Sequence, residues 1–355
     1  MIYLAPAFLA ALFGLAAGLN NQGVARLPVT GYNTWNGYAC NISSQVVRET
    51  AQSLKDLGLQ ASTQTCAGYP GSYGYEEQDV ATFMSWGLDY LKFDNCNPPP
   101  DAILQASIPQ KFQRMADAIS TVASSFNSTP LIYSLCEWGQ SQPWLWGASM
   151  AQSWRITGDV TATWSSVVSI LNAASFITLS SGFYGHNDLD MVSNGNLTYD
   201  EAKSHFTAWA LLKSPLLIGT IILLNHEILA INQDPNVAMS ISPFAWGLNS
   251  AWTYDPVHPA QFWSGQTSNG TVIMLLNTFN QPSTLCFNVT DSPYLAPTRP
   301  YIVRDLWSHT NNCTVTGSTD TAMGAMGVFI PPHGVSALLF TDAGNICDIT
   351  STPVS

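Results

Sequence analysis

The stretch Leu88-Asp89-Tyr90-Leu91-Lys92-Phe93-Asp94-Asn95-Cys96 is largely apolar up to Asp94. It contains Lys92, and the carboxylate of Asp94 follows two residues after this lysine. Its alternating apolar residues are typical of a buried β-strand that ends at Asp94. Charged groups at the end of a buried strand are costly unless they have a task, because desolvated ions need partners. The alternative interpretation is that Asp94 only caps the loop that follows.

Two further segments also end in acidic residues. The segment Ser153–Val160 places Asp159 at the end of a second predicted strand, and Tyr133–Trp138 places Glu137 at the end of a third. A predicted loop further along the chain carries Asp188 and Asp190. Retaining cleavage of a glycosidic bond needs one carboxylate as nucleophile and a second as acid and base, about 5–5.5 Å apart. The pattern therefore indicates a glycosidase, although the spacing does not show which two carboxylates react.

The composition supports a secreted protein that acts on sugars. Of 355 residues, 46% are hydrophobic, and 12 Trp, 13 Tyr and 15 Phe suffice for both a large core and an aromatic groove that suits sugar faces. A net charge of −12 and a pI near 4.6 argue against nucleic acid and anionic membranes as partners. No cofactor or metal site is predicted.

Several features predict secretion to the extracellular space. Residues 1–18 have the short apolar core and small terminal residues of a cleaved signal peptide, and no other stretch is apolar enough to span a membrane. Seven cysteines in an extracellular protein imply disulfides and at least one odd thiol. Sequons for N-glycosylation begin at Asn41, Asn127, Asn196, Asn269, Asn288 and Asn312.

The chain has two predicted domains. Residues 19–238 alternate strand-like and helix-like segments, which predicts an α/β fold of the TIM type, a parallel (β/α) barrel. Its first strand is Leu27–Trp35, and a helix with Leu57 on its apolar face follows. Residues 239–342 contain short Val-, Thr- and aromatic-rich runs between turns, which predict an antiparallel β-sandwich. Residues 343–355 are a predicted tail.

Six ordered motifs give the chain a resemblance to glycoside hydrolase family 27, the melibiase-type α-galactosidases, over most of residues 24–342. The motifs are Thr65–Ser72 with Gly74–Glu76, Trp86–Cys96, Cys136–Gly139, Trp154-Arg155 with Asp159, Asn187–Met191, and Ile231–Pro235. The resemblance implies that Asp94 is the nucleophile and Asp159 the acid and base. It further implies a sugar-binding site formed by Trp35, Lys92, Glu137, Arg155 and Asp190.

The resemblance also bears on specificity and on disulfides. Glu137 favours galactose, because N-acetylgalactosaminidases of this family carry small residues there to admit the acetamido group. Cys66 and Cys96 match a family disulfide that would close a loop of ~30 residues and stabilise the fold by roughly 3–4 kcal/mol. Cys40 is expected to be free and Cys136 to be a buried thiol. Cys286 and Cys313 are a candidate pair, and Cys347 is unassigned.

The chain departs from the family between Gly58 and Thr65, where a long segment of the family is missing. That segment carries strands 2 and 3 of the barrel and two adjacent aspartates that bind galactose hydroxyls. An incomplete barrel is therefore expected, in which the strand Leu27–Trp35 either pairs directly with the Asp94 strand or leaves an open slot. The gap has two explanations: an incomplete gene model or splice form, or a shortened relative that has lost activity.

Three hypotheses on function follow. The leading one is a retaining α-galactosidase that releases terminal α-galactosyl groups from oligosaccharides or galactomannans and is impaired in this chain. The second is a secreted sugar-binding protein without turnover, which the missing aspartates support. The third, an α-N-acetylgalactosaminidase, is disfavoured by Glu137.

Overall fold

The computed structural model of the protein describes residues 23–32, 57–58, 66, 70–98, 101, 107–192, 195–218, 225–320 and 324–344. The predicted signal peptide, Trp35, Cys40, Asn41 and Cys347 lie outside these residues. In the part of the chain that is described, no helix combines the length and the apolar character needed to cross a bilayer.

Seven short parallel strands form the barrel wall within the described residues. They are β1 (Thr30–Tyr32), β2 (Leu57–Gly58), β3 (Tyr90–Asp94), β4 (Ile132–Cys136), β5 (Ser153–Arg155), β6 (His186–Asp188) and β7 (Leu216–Ile218). Strands β2 to β6 pair in chain order, and β1 pairs with β7. A backbone hydrogen bond of 3.3 Å from Val192 N–H to the carbonyl of Leu217 connects the end of β6 to β7.

Helices follow the barrel strands, as the alternating sequence pattern predicts. They are α1 (Glu76–Ser85), α2 (Ile108–Ser125), α3 (Trp164–Ser175), α4 (Tyr199–Leu211) and α5 (His226–Asn232). Helix α2 shows why: Phe112, Met115, Ile119 and Val122 recur every three or four residues and are all buried. Helix α4 begins at a capping box between Thr198 and Glu201, which satisfies backbone donors at its first turn.

The structure corrects three expectations about the barrel. Leu57 lies in a strand, β2, and not on a helix, and Asp188 ends strand β6 and does not lie in a loop. Strands of two or three residues are too short to show a periodicity in the sequence. Direct pairing of the first strand with β3 is also wrong, because β2 and β4 occupy the two sides of β3. The absence of two barrel strands remains a prediction.

The second domain is an antiparallel sandwich, as predicted. Its larger sheet has the order β13 (Thr310–Thr316), β12 (Pro300–Asp305), β15 (Val335–Asp342), β10 (Gly270–Leu276), β9 (Phe262–Thr267) and β8 (Ser242–Ala245). The smaller sheet pairs β11 (Ser283–Asn288) with β14 (Ala325–Ile330). Strand β10 is buried on both faces, with Ile273 and Leu275 in the sandwich core and Val272 and Met274 in the core shared with the barrel.

Two histidine–glutamate pairs join the domains, and we call them the His–Glu clasps. In the first clasp, His333 Nδ1 lies 2.7 Å from Glu201 Oε1 of α4. In the second, Glu227 of α5 accepts two hydrogen bonds of 2.8 Å from Arg304, and His309 Nδ1 lies 2.6 Å from the same carboxylate. The junction is therefore polar and charged as well as apolar.

The cysteines follow the predictions in part. Cys66 and Cys96 form a disulfide, and Cys136 is a buried free thiol, so both expectations are confirmed. The suggested pairing of Cys286 with Cys313 is wrong, because both are exposed free thiols. They lie on β11 and β13, which belong to different sheets of the sandwich.

The predicted glycosylation sites differ in accessibility. The asparagines of four sequons are exposed, which leaves them as acceptor predictions: Asn127, Asn196, Asn269 and Asn312. Asn288 is buried, and its side-chain oxygen accepts hydrogen bonds from the N–H and hydroxyl of Thr290. The structure therefore disfavours carbohydrate at Asn288.

Candidate active site

The register of the barrel strands collects the polar residues into two rows on one face of the wall. Side chains two residues apart on one strand point to the same face of the wall, and residues paired in register on neighbouring strands point to that face too. The lower row contains Lys92, Ser134, Ser153 and His186, and the upper row contains Asp94, Cys136, Arg155 and Asp188. A hydrogen bond of 2.8 Å between the hydroxyls of Ser153 and Ser134 links neighbouring strands in the lower row.

Arg155 joins two of the predicted site carboxylates. Its Nη2 lies 3.0 Å from Asp159 Oδ1 and 2.9 Å from Asp190 Oδ2. Arg155 is 1% exposed, so these contacts are screened little by water on the arginine side. The backbone N–H of Val160 also donates to Asp190 Oδ2 at 2.8 Å, which ties the loop after β5 to the loop after β6.

Lys92 lies on the other side of Asp190. Its Nζ is 3.8 Å from Asp190 Oδ1, and the lysine is buried. Burial by itself would lower the pKa of Lys92, but the nearby acidic groups, Asp190 and Asp188 among them, outweigh it, so the pKa is raised. Lys92 therefore stays cationic, and its ion pair among the described residues is with Asp190.

The pKa values of the two aspartates of β6 and its loop are shifted in opposite directions. Burial would raise the pKa of Asp190, but Arg155 and Lys92 outweigh it and hold the pKa below its usual value. Burial raises the pKa of Asp188, and the same two cations only partly oppose it. Asp190 is therefore the ionised partner of the two cations, and Asp188 supports its loop by accepting a hydrogen bond of 2.8 Å from the Asp190 N–H.

Cys136 lies beside Asp94 in the upper row. Burial raises the pKa of its thiol well above the usual value, so the group is neutral at neutral pH. The thiol is hydrogen-bonded to the Asp94 carboxylate, and the backbone N–H of Asn95 donates to the Cys136 carbonyl at 2.9 Å. Asp94 is half-buried, so its carboxylate is held on one side and open to solvent on another.

Glu137 follows directly after the end of β4, as predicted, and is fully buried. The side chain has no exposed surface, and among the described residues no donor makes a hydrogen bond of ordinary geometry to either carboxylate oxygen. Burial raises its pKa to about 8, against the weaker opposing effect of the backbone N–H groups of Gly139 and Glu137. The contact between Glu137 and a sugar hydroxyl stays a prediction.

The structure thus brings together Lys92, Arg155, Asp159 and Asp190, with Asp94 at the end of the same wall. Asp159 is the most accessible of them, with 77% of its side chain exposed. The predicted separation of the Asp94 and Asp159 carboxyl groups stays a prediction, and Trp35 lies outside the described residues.

Sequence reasoning missed two residues of this region. Asp188 was assigned only to a loop, although the motif Asn187–Met191 contains it. Lys111 was passed over because it lies in the helical pattern of α2; a charged residue next to Phe112 of the buried helix face was the available signal.

One group of metal-ligating side chains occurs within the described residues, and it lies at the domain junction. His226, Glu227 and His309 offer ligand atoms within 4.8 Å of one another. The Glu227 carboxylate is already occupied by Arg304 and His309, so the group acts as a clasp between domains and is not part of the candidate active site.

A parallel (β/α) barrel with carboxylates and buried cations at its strand ends, followed by an antiparallel sandwich, defines a class of glycoside hydrolases. The family profile described as "Alpha galactosidase A" matches residues 47–234, and that described as "Alpha galactosidase C-terminal beta sandwich domain" matches residues 257–340. The chain belongs to the α-galactosidases of glycoside hydrolase family 27.

Relatives and solved structures agree with this assignment. A protein of Aspergillus oryzae named "Probable alpha-galactosidase B" is 34% identical over 373 positions, covering 76% of this chain and 83% of the relative. α-Galactosidase I from Mortierella vinacea superimposes with a TM-score of 0.75 at 26% identity and covers 91% of this chain and 98% of its own. The α-galactosidase of Saccharomyces cerevisiae with raffinose gives 0.72 at 25% identity and covers 92% and 100%.

The Aspergillus alignment also bears on the length of the chain. It extends over 373 positions, more than the 355 residues of the whole chain. The relative therefore contains residues that have no counterpart here.

Proposed function

We propose that the protein is a retaining α-galactosidase that hydrolyses terminal, non-reducing α-D-galactosyl groups of oligosaccharides or galactomannans outside the cell. Membership of the α-galactosidase family supports the reaction. The raffinose bound by the yeast enzyme supports an oligosaccharide as substrate. The exposed sequons and the Cys66–Cys96 disulfide support a secreted protein.

In this proposal Asp94 attacks the anomeric carbon and forms a covalent galactosyl-enzyme. Its position at the end of β3 suits this role, because the carboxyl ends of parallel strands form the active face of such barrels. The neutral Cys136 thiol orients the carboxylate without adding a competing negative charge next to it.

Asp159 would protonate the leaving oxygen and then remove a proton from the attacking water. An acid and base must exchange protons with solvent between the two half-reactions, and the exposure of Asp159 allows this. Arg155 fixes the position of Asp159 relative to the barrel wall, since one guanidinium nitrogen contacts both Asp159 and Asp190.

Lys92, Arg155 and Asp190 would bind the hydroxyls of the sugar. Donors and an acceptor that are already ordered by their mutual ion pairs lose little conformational freedom when a sugar binds. Asp190 has a left-handed backbone (φ +75°), which indicates that the loop holds this carboxylate in place against a local preference.

The single observation that carries the proposal is Arg155 bridging Asp159 and Asp190 at the strand ends of this family's barrel. The test is hydrolysis of a p-nitrophenyl α-galactoside by the purified chain, with the corresponding N-acetylgalactosaminide as control. Proton NMR of the released sugar at early times should show the α-anomer, as retention requires. No release of nitrophenol above that of the Asp94→Asn variant would refute the proposal.

A second candidate is a sugar-binding protein without turnover. The observation that favours it is the length of the Aspergillus alignment, which means that residues of the relative have no counterpart in this chain. If the missing residues include the two aspartates that bind galactose, the loss of two charge-assisted hydrogen bonds of about 1.5–3 kcal/mol each would weaken binding by roughly 10²–10⁴-fold.

A chain with an inserted segment distinguishes the two candidates. The segment of the Aspergillus relative that corresponds to the gap between Gly58 and Thr65 is inserted into this chain, and the chains with and without the insertion are assayed on the same galactoside. We expect the chain with the insertion to turn over faster. Equal turnover by both would show that the gap does not impair the site.

A further inference from the structure

Lys111 is a buried lysine next to the candidate nucleophile that the mechanism above does not use. It lies in the first turn of α2 and is 4% exposed. Its neighbour Phe112 packs edge-on against Phe93 of β3, with the ring centroids 5.8 Å apart. This packing fixes the start of α2 behind the strand that carries Asp94.

Lys111 contacts the residue that follows Asp94. Its Nζ donates a hydrogen bond of 3.0 Å to Asn95 Oδ1. The backbone N–H of Asn95 donates to the Cys136 carbonyl at 2.9 Å, and its side-chain amide lies 3.4 Å from Gln140 Oε1. Through Asn95, Lys111 therefore connects α2 to the loops that follow β3 and β4.

A buried ammonium group such as that of Lys111 is stabilised by a negative charge nearby. Burial lowers the pKa of Lys111 to about 8, and the negative charge that opposes this effect is Asp94. At pH values below 7 the group is consequently a cation close to the Asp94 carboxylate. Lys92 does not fill this place, because it pairs with Asp190.

Among the described residues, three elements contribute groups next to Asp94. Asn95 follows it on the loop after β3, the Cys136 thiol faces it from β4, and Lys111 reaches Asn95 from α2. Cys136 is neutral, so Lys111 is the cation of this group. The next cation of the upper row, Arg155, is held by Asp159 and Asp190.

We propose that Lys111 is a positioning residue for the nucleophile, which holds the end of β3 and its Asp94 carboxylate in place through the hydrogen bond to Asn95. The inference rests on the proposed role of Asp94 as nucleophile. It adds a residue from outside the barrel wall to the machinery of the reaction.

The first test compares Lys111→Met, which is uncharged, with Lys111→Arg, which keeps the charge. In Lys111→Met, kcat for an aryl α-galactoside should fall about tenfold while KM changes little, because the nucleophile is displaced but the contacts to the sugar remain. Lys111→Arg, which can still donate a hydrogen bond to Asn95, should recover most of the lost kcat. Lys203→Met, at a half-buried lysine on α4 that lies over the ring of Trp307, is the control.

A loss in Lys111→Met that appears in KM rather than in kcat would overturn the positioning role, because a general packing defect weakens the whole site. A kcat that falls equally in Lys111→Arg and Lys111→Met would overturn it as well.

The second test does not need turnover. Thermal unfolding is measured for the unchanged chain, Lys111→Met, Asp94→Asn and the double variant. If Lys111 and Asp94 interact, Lys111→Met should lower Tm by roughly 2–4 °C more when Asp94 is present than in the Asp94→Asn background. Equal changes in both backgrounds would overturn the inference. If the unchanged chain has no galactosidase activity, the proposed function fails, whereas this cycle still reports on Lys111 and Asp94.

Discussion

At the scale of single residues, replacement of Asp94 and replacement of Asp159 are expected to lower the rate of hydrolysis differently on different substrates. Asp94→Asn should reduce kcat by roughly 10⁴-fold or more on every α-galactoside, because the nucleophile is needed whatever the leaving group. Asp159→Asn should cost about 10²–10⁴-fold on raffinose, whose leaving oxygen needs a proton, but much less on a nitrophenyl galactoside. Initial rates on both substrates measure this difference.

The roles would be wrong if Asp159→Asn lost the same factor on both substrates. Asp94→Asn serves as the matched control in the same experiment, since its losses should not depend on the leaving group.

Arg155 is expected to matter for stability as well as for catalysis. Arg155→Met leaves the buried Asp190 without its closest cation, at 2.9 Å, and should reduce the free energy of unfolding by about 3–5 kcal/mol. Arg114→Met is the control, because Arg114 pairs with Glu76 at 2.7 Å but is 42% exposed. That variant should lose no more than about 1 kcal/mol. Urea unfolding curves give both values, and equal losses would contradict the assigned importance of burial.

At the scale of elements, the turn after β4 depends on a glycine. Gly139 has φ +80°, and a Cβ there would lie 2.2 Å from the carbonyl oxygen of Ile156, which belongs to the segment after β5. Gly139→Ala should therefore destabilise the protein by more than about 1 kcal/mol and displace the neighbouring strand end. Gly87→Ala separates the two causes, since Gly87 has φ +78° but open space around it. Similar Tm losses in both variants would show that the contact with Ile156 costs nothing.

Elements with a strong periodicity could be predicted from the sequence. Strand β3 ends at Asp94 as predicted, and the described part of residues 19–238 alternates strands and helices, because helices such as α2 have a long apolar face to bury. Strands β2 and β6 were missed, since a strand of two or three residues is held by its neighbours in the barrel rather than by its own pattern. Strand β13 was missed for another reason: it is polar and exposed along its length.

In the candidate site, the sequence identified residues but not their contacts. Asp94, Arg155, Asp159 and Asp190 could be singled out because they lie in motifs of a family. The partner of each group could not, since Lys92 pairs across the barrel with Asp190 and Lys111 reaches the Asp94 loop from the next helix. Such contacts depend on strand register and helix packing, which sequence spacing does not specify.

At the scale of the whole molecule, the second His–Glu clasp should make stability depend on pH in the acidic range. The hydrogen bonds from Arg304 and His309 lower the pKa of Glu227 to about 2, against about 4.5 for an ordinary glutamate. A lowered carboxyl pKa contributes stability above pH 4.5, and that contribution is lost as the pH falls from 4.5 towards 2. Glu227→Gln should therefore show a smaller fall in Tm over this interval.

Glu77→Gln is the matched control for this measurement, because Glu77 is an exposed glutamate of α1. Its Tm should follow that of the unchanged chain between pH 4.5 and 2. A Glu227→Gln variant with the same pH dependence as the unchanged chain would show that the clasp does not hold the domains together.

The position of strand β13 has a consequence for self-association of the protein. Among the described strands it is the outermost one of the six-stranded sheet, so its outer edge offers backbone groups to an extended peptide. Asn312 lies on this strand, and a branched glycan there would sterically block access to this edge. The chain made in a host that attaches no carbohydrate should self-associate at lower concentrations, and Asn312→Gln should reproduce this in a glycosylating host. Light scattering measures this self-association, and an Asn312→Gln protein that stays monomeric would refute the shielding role of the glycan.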